Sequence, residues 1–168
     1  LRSLKILEGF GDKQSMASTV NNIGSIYKDQ GEYSKAINSY KQSLKIGEEI
    51  GDQQGISYSL NKIGQVHQEQ GNYAKAIDFS SKALRIAQEI GVLNEIASAT
   101  KNLWETNKKL GNYETALEMY QLYVDYNDSL KSEENQKEII RQEFKYTYEK
   151  EALADSIKNA AAQKVLDA

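Results

Sequence analysis

Apolar residues along the chain follow the spacing of amphipathic helices, and the pattern is interrupted at regular intervals. Val20, Ile23 and Tyr27, for example, recur every three or four residues. The interruptions are glycines that stand twenty residues apart: Gly11, Gly31, Gly51, Gly71, Gly91 and Gly111. Glycine ends helices because it adopts a left-handed backbone without a steric penalty. The pattern therefore predicts one helix for each interval and one helical hairpin for each pair of intervals.

The hairpin repeats with a period of forty residues. The sequence Gly-x-Tyr-x-x-Ala occupies 31–36, 71–76 and 111–116. Each first helix should pack through a helical glycine, Gly24 or Gly64, against the alanine of the second helix, which favours an antiparallel hairpin. We expect a half repeat at 1–14, repeats at about 15–52, 53–92 and 93–132, and a different segment at 133–168.

This pattern resembles the tetratricopeptide repeat, in which spaced Gly, Tyr and Ala residues recur together. The resemblance implies an all-α fold, a right-handed superhelical array of antiparallel helical hairpins that ends in a long C-terminal helix. Two features depart from the family: its usual period is about 34 residues, and the proline between repeats is missing. The extra residues follow Leu44 and Leu84 and should lengthen the second helices. HEAT-type arrays share the longer period but lack the Gly-x-Tyr-x-x-Ala sequence.

Composition argues against several kinds of chemistry. The chain has a net charge of −3 with mixed signs, no cysteine and one histidine, so we expect no nucleic-acid partner, no metal site and no cofactor. We expect His67 to serve in packing rather than catalysis. Trp104 replaces the glycine of the third repeat, and we expect it to have a structural role. The sequence therefore predicts a binding module and not an enzyme.

The face of the first helices opposite the packing stripe is the expected partner-binding surface, on the concave side of the array. Its amide and hydroxyl side chains suit hydrogen bonding to the backbone of an extended peptide, although exposed helix faces are polar in any case. The expected partner-binding residues are Ser18, Asn21, Ser25, Lys28, Tyr58, Asn61, Gln65, Gln68, Lys101, Glu105 and Lys108. Some tetratricopeptide domains hold a C-terminal carboxylate here with a lysine where this chain has Asn21, so binding of a chaperone tail is not expected.

The segment at 133–168 combines dense mixed charge with many alanines and predicts one long helix. We expect Ile140 and Phe144 to cover the open end of the last repeat. Tyr146, Leu153 and Ala160 recur at intervals of seven, which leaves open a short coiled coil or a solvated helix. The stretch 142–150 is similar to the juncture in bacterial sensor proteins where such an array precedes a membrane helix and a histidine kinase or DNA-binding domain.

Two functions remain after this reasoning. The first is a sensory or regulatory module of a larger bacterial signalling protein, which binds a protein or peptide. The alternative is a passive scaffold that associates with itself through the repeat ends or the C-terminal helix. The chain starts at Leu1 in mid-helix, so we expect a fragment of a longer protein. It carries no membrane-inserting segment, and the sensor resemblance is compatible with an extracytoplasmic location.

Overall fold

The computed structural model describes residues 12–166, and in that part of the chain all regular secondary structure is helical. The helices are α1 (Lys13–Asp29), α2 (Tyr33–Ile50), α3 (Gln53–Glu69), α4 (Tyr73–Ile90), α5 (Leu93–Leu110) and α6 (Tyr113–Leu166). Consecutive helices are antiparallel, so α1–α2, α3–α4 and α5 with the start of α6 form the three predicted hairpins. The all-α prediction is confirmed. The half repeat predicted at 1–14 lies almost entirely outside the described residues.

Glycine ends or follows each helix in the array, as the sequence predicts. The glycines with a φ of 70° to 79° are Gly31, Gly51, Gly71, Gly91 and Gly111. Helices α1 and α3 each have an aspartate as N-cap: the carboxylates of Asp12 and Asp52 accept hydrogen bonds from the backbone N–H groups of Ser15 (3.0 Å) and Gly55 (2.9 Å). These short turns hold successive helices antiparallel.

Close packing within a hairpin depends on the helical glycine, but its partner differs from the predicted one. A Cβ placed on Gly24 would lie 2.8 Å from Cε1 of Tyr40, so the tyrosine ring and not the alanine fills the space. A Cβ placed on Gly64 would overlap Oγ of Ser80 and lie 3.2 Å from the carbonyl oxygen of Ala76. The expected approach to the alanine is therefore present only in the second repeat, where it involves the alanine backbone.

The hydrophobic core is continuous from one repeat to the next. In one cluster, α2 and α3 contribute Ala36, Tyr40, Ile63 and Val66. In the other, α3, α4 and α5 contribute Ile56, Leu60, Ala83 and Ala99. Each second helix is thus covered by the first helix of the next repeat, which is how a stacked array buries apolar faces that a single hairpin would expose.

The first helices lie on the inner side of the array. Direct contacts join α1 to α3 and α3 to α5, in addition to those between helices adjacent in sequence. The corresponding second helices α2 and α4, both described in full, make no such contact. The packed first helices therefore line the concave side, where the expected partner-binding residues were placed.

Helix α6 extends from the last repeat through the predicted C-terminal segment without a break at 132. The chain divides into two compact units, residues 1–128 and 129–168. In the second unit Ile140 is 51% exposed and Leu153 is 62% exposed. The side chains of Phe144, Tyr146 and the residues after Leu153 lie outside the described part, so the capping role and the seven-residue stripe stay predictions.

Candidate functional site: two polar clefts on the inner side

A first cleft, cleft I, opens between α1 and α3 on the inner side of the array and has a volume of about 310 Å³. Cleft I is lined by Gln14, Ser18, Asn21, Asn22, Asp52, Gln54, Gly55, Tyr58 and Glu95. Its two charged residues, Asp52 and Glu95, are both acidic. Cleft I is therefore a polar recess with negative charge.

A second cleft, cleft II, lies between α3 and α5 and has a volume of about 180 Å³. Cleft II is lined by Asn61, Lys62, Gln65, Gln68, Ser98, Lys101, Asn102 and Glu105. It adjoins cleft I because Lys62 follows Tyr58 by one helical turn, and the Lys62 Nζ lies 5.1 Å from the centre of the Tyr58 ring. With two lysines and one glutamate, cleft II carries positive charge where cleft I carries negative charge.

Most of the residues expected to bind a partner line these clefts. Cleft I contains Ser18, Asn21 and Tyr58, and cleft II contains Asn61, Gln65, Gln68, Lys101 and Glu105. Lys108 lies with Trp104, Glu105 and Lys109 around a further recess of about 430 Å³. Ser25 and Lys28 line none of these three recesses. Nine of the eleven expected residues therefore line recesses, in two adjacent clefts and at the end of α5, and Ser25 and Lys28 do not.

Asn21 and Asn61 join successive repeats. Both side chains are buried: Asn21 Oδ1 accepts from Ser59 Oγ at 3.2 Å, and Asn61 Nδ2 donates to Ser98 Oγ at 2.8 Å. Because each bond connects the first helix of one repeat to the next first helix, these two residues have a packing role that the sequence analysis does not assign. Their role in partner binding stays a prediction.

Ser25 and Lys28 also have partners within the protein. Ser25 Oγ lies 3.1 Å from the hydroxyl oxygen of Tyr40. Lys28 Nζ lies 3.4 Å from a carboxylate oxygen of Asp29 and 3.5 Å from one of Glu69. Burial by itself would lower the pKa of Lys28, but the two carboxylates outweigh it and the pKa is raised. These ion pairs make Lys28 less available to a ligand than its exposed neighbours.

Two charged residues of the clefts, Lys62 and Glu95, were missed by the sequence analysis. Burial lowers the pKa of Lys62 and raises the pKa of Glu95, since desolvation disfavours the charged form of each. Lys62 and Glu95 attract each other, and this attraction offsets part of the pKa shift of each. The placement of Lys62 four residues after Tyr58 could have indicated an aromatic–cation pair, whereas nothing in the sequence singles out Glu95.

Gln68 and Asn102 leave side-chain amide atoms unsatisfied in cleft II. Gln68 is 8% exposed and Asn102 is 6% exposed. Asn102 Nδ2 donates to Ser80 Oγ at 2.7 Å, but its Oδ1 has no partner in the described part of the protein, and the same is true of Gln68 Nε2. Buried polar atoms without partners are rare, so these two atoms are an exception in the packing beside cleft II.

His67 and Trp104, for which we expect packing and structural roles, both make ring contacts between helices. The ring of His67 stacks on Phe79 with centroids 5.6 Å apart, and burial lowers the pKa of His67 with a further contribution from Lys75. The ring of Trp104 contacts Tyr120 and Tyr123 at centroid distances of 4.8 and 5.9 Å. Each ring therefore packs one helix of a hairpin against the other.

Neither a metal cluster nor a membrane span is found in the part of the chain that the structure describes. No three histidine or acidic side chains there come close enough to hold a metal ion. Likewise, none of the helices in residues 12–166 has the length and hydropathy to cross a bilayer.

Comparison with known proteins identifies the repeat. The family model described as tetratricopeptide repeat matches residues 15–89 and again 55–127. No curated protein matches the chain. The two matches together cover more than half of the chain.

Solved structures with a similar fold include three different proteins. The tetratricopeptide domain of Arabidopsis FLU superposes with a TM-score of 0.65 at 22% identity, covering 70% of this chain and 98% of that one. BtubC from P. vanneervenii gives 0.66 at 18% identity, covering 76% and 54%. Aspartyl phosphate phosphatase F from Bacillus subtilis gives 0.65 at 20% identity, covering 68% and 30%. These identities support the fold alone, and the match of the family model shows that the chain belongs to the tetratricopeptide repeat family.

Proposed function

We propose that this array binds a partner protein by holding an extended peptide segment of it in clefts I and II. Tetratricopeptide domains generally mediate protein–protein interactions and are generally not catalytic. The observation that carries the proposal is the pair of adjacent polar clefts on the concave side. An extended peptide supplies a backbone donor and acceptor at every residue and so can hydrogen-bond to the amide and hydroxyl side chains that line the clefts.

Variants that fill the clefts test this proposal. Ser18→Arg and Gln65→Arg place a long side chain in cleft I and cleft II respectively, from positions that are not buried. Ser81→Arg makes the same chemical change on the exposed face of α4 and is the matched control. We expect proteins captured from a lysate of the source organism by the wild-type array to be lost with the first two variants and kept with the third. Equal capture by all four proteins would overturn the proposal, provided that their melting temperatures agree.

The wider proposal is that the array is the sensory or regulatory region of a larger bacterial signalling protein. Its support is the sequence at 142–150, which is similar to the juncture of sensor proteins. The full coding sequence tests it. An apolar segment of about 20 residues followed by a kinase or DNA-binding domain would support the proposal, and a downstream sequence with neither would contradict it.

A passive scaffold is the second candidate, and one observation favours it. Tyr113 is 72% exposed and Leu117 is 67% exposed on α6, whereas Ile37 and Ile77, which correspond to Leu117 in the earlier repeats, are partly buried. Exposed apolar residues at the end of an array are a surface for self-association. Light scattering coupled to gel filtration distinguishes the candidates: a dimer that Leu117→Lys converts to a monomer supports the scaffold, and a monomer at all concentrations contradicts it.

A further inference from the structure

A groove on the outer side of the array, the outer groove, opens between the second helices α2 and α4. These two helices, both described in full, make no contact with each other. Helix α3 contacts both of them, and its last turn forms the floor of the groove. The outer groove has a volume of about 530 Å³ and is lined by Ser34, Ile37, Asn38, Lys41, His67, Lys75, Asp78 and Phe79. None of these residues lines cleft I or cleft II, so the outer groove is a separate surface.

The walls of the outer groove carry two lysines that the protein does not pair. Lys41 comes from α2 and Lys75 from α4, and both side chains are exposed. Neither ammonium group has an ion-pair or hydrogen-bond partner in the part of the chain that the structure describes. The acidic residue of the lining, Asp78, is bound to Lys82 at 2.8 Å. The groove therefore keeps two positive charges that no carboxylate of the described residues neutralises.

The floor of the outer groove is apolar and aromatic. Ile37 and Phe79 are partly buried and pack against the first core cluster, and the ring of His67 stacks on Phe79. Burial lowers the pKa of His67, and Lys75 and Lys41 lower it further. Both ammonium groups therefore lie near enough to the imidazole to act on its charge. The groove thus combines an apolar floor with positive charge on both walls.

The repeat does not require this basic cluster. In the next repeat, the residues that correspond to Lys41, His67 and Lys75 are, in that order, Ser81, Asn107 and Thr115. Stacking uses contacts that recur with the period of the array, whereas the two lysines and the histidine occur at one groove position and not at the next. Their presence around one groove is therefore evidence for a role other than stacking.

We propose that the outer groove is a second binding site, which holds an anionic side chain of a partner protein at Lys41 and Lys75. Apolar surface next to that side chain packs against Ile37 and Phe79. Carboxylates and phosphorylated side chains share the required chemistry, since both accept charge-assisted hydrogen bonds from ammonium groups. A groove between two helices does not enclose a small molecule as metabolite sites do, but it admits a side chain presented on a protein surface. This site is separate from the proposed function, which concerns the inner clefts.

The chain has one histidine, so the NMR signals of its ring report on the outer groove in a protein without a histidine tag. In the free protein, Lys41→Met and Lys75→Met should each raise the pKa of His67, because each removes a nearby positive charge. Lys45→Met is the matched control, at an exposed position one turn further along α2 that does not line the groove. It should leave the pKa of His67 unchanged. An unchanged pKa in all three variants would overturn the proposal.

Titration with small probes then tests binding at constant ionic strength. Phenyl phosphate and phenylacetate stand in for phosphorylated and carboxylate side chains, and phenylacetamide is the neutral control. An anionic probe should raise the pKa of His67 when it binds. It should bind Lys41→Met and Lys75→Met at least about threefold more weakly than Lys45→Met, as expected for the loss of one exposed ion pair. Binding of phenyl phosphate alone would support a phosphorylated side chain as the ligand, and binding of both probes would support any acidic side chain.

Three results of the titration would overturn this inference. Binding of inorganic phosphate and acetate as tight as that of the phenyl probes would show an adventitious ion only. Binding of phenylacetamide as tight as that of the anionic probes would show that the lysines contribute nothing. Shifts of backbone amide signals at clefts I and II, in place of shifts at 34–41 and 75–79, would locate the anion outside the groove. None of these results bears on peptide binding in the clefts, which Ser18→Arg and Gln65→Arg test separately.

Discussion

Substitution of Gly64 by alanine sets two physical effects against each other. Alanine has the higher helix propensity, which by itself would stabilise α3 by about 1 kcal/mol. The added Cβ, however, would overlap Ser80 Oγ and lie 3.2 Å from the Ala76 carbonyl oxygen and 3.3 Å from Asn102 Nδ2. Two of these neighbours belong to α4 and one to α5, so relief requires either a shift between helices or a rotation of Ser80.

The expected result is a net loss of stability. Rotation of Ser80 breaks the 2.7 Å hydrogen bond from Asn102 Nδ2, and the loss of a buried partner costs about 1–3 kcal/mol. Overpacking adds about 1–3 kcal/mol. After subtraction of the propensity gain, Gly64→Ala should lower the free energy of unfolding by at least about 1 kcal/mol. For a chain of this size the melting temperature should fall by at least about 2–4 °C.

Thermal unfolding followed by circular dichroism measures this effect, and a double-mutant cycle assigns its cause. In a Ser80→Ala background the clash with Oγ is absent, so Gly64→Ala should cost much less there than in the wild type. Ser81→Ala, at an exposed position of the same helix α4, should leave the melting temperature unchanged. A Gly64→Ala variant more stable than the wild type would refute the proposed contact, because helix propensity would then be the only effect acting.

Three further outcomes are expected. Ala76→Phe introduces a large side chain at a fully buried position and should lower the free energy of unfolding by about 1–3 kcal/mol through overpacking. Denaturant unfolding that shows no such loss would contradict the contact between α3 and α4 at this position. Because burial raises the pKa of folded Glu95, its charge opposes folding at neutral pH. Glu95→Gln should therefore raise the melting temperature near pH 7 and have no effect below about pH 4; a difference that persisted in acid would contradict this. Truncation after Ser132 should expose apolar surface and promote aggregation, whereas truncation after Lys150 should leave a monomer. Equal light scattering by the two truncated proteins would contradict the capping role and make the segment after Ser132 a linker.

The fold was predictable because its determinants are local and repeated. A turn glycine such as Gly51 needs only a left-handed backbone, and this requirement is visible in one residue. The partner of a helical glycine was less predictable because it depends on a contact between helices. Gly24 packs on the Tyr40 ring, whereas Gly64 packs on Ser80 at the corresponding position. The residue that contacts the helical glycine differs in size between the two repeats, and the spacing that the repeats share does not reveal this difference.

The sequence predicted which helix face carries the candidate site, but not which polar groups on that face are available to a ligand. Helical periodicity placed Asn21 and Asn61 on the inner side, and the clefts confirm that position. It could not show that both amides are bound to the next repeat, since this depends on the stacking of α1 on α3 and α3 on α5. Glu95 was missed for the same reason: it enters cleft I from the following repeat, at the first turn of α5.

Availability to a ligand therefore depends on which polar groups the stacking leaves unsatisfied, and not on polarity or exposure alone. Asn61 is polar and lines cleft II, but its amide already donates to Ser98. Gln68 and Asn102 are equally buried yet keep an atom without a partner in the described structure. A protein gains stability by satisfying or removing such groups, so the retention of these two unpaired amide atoms is a cost to the free array.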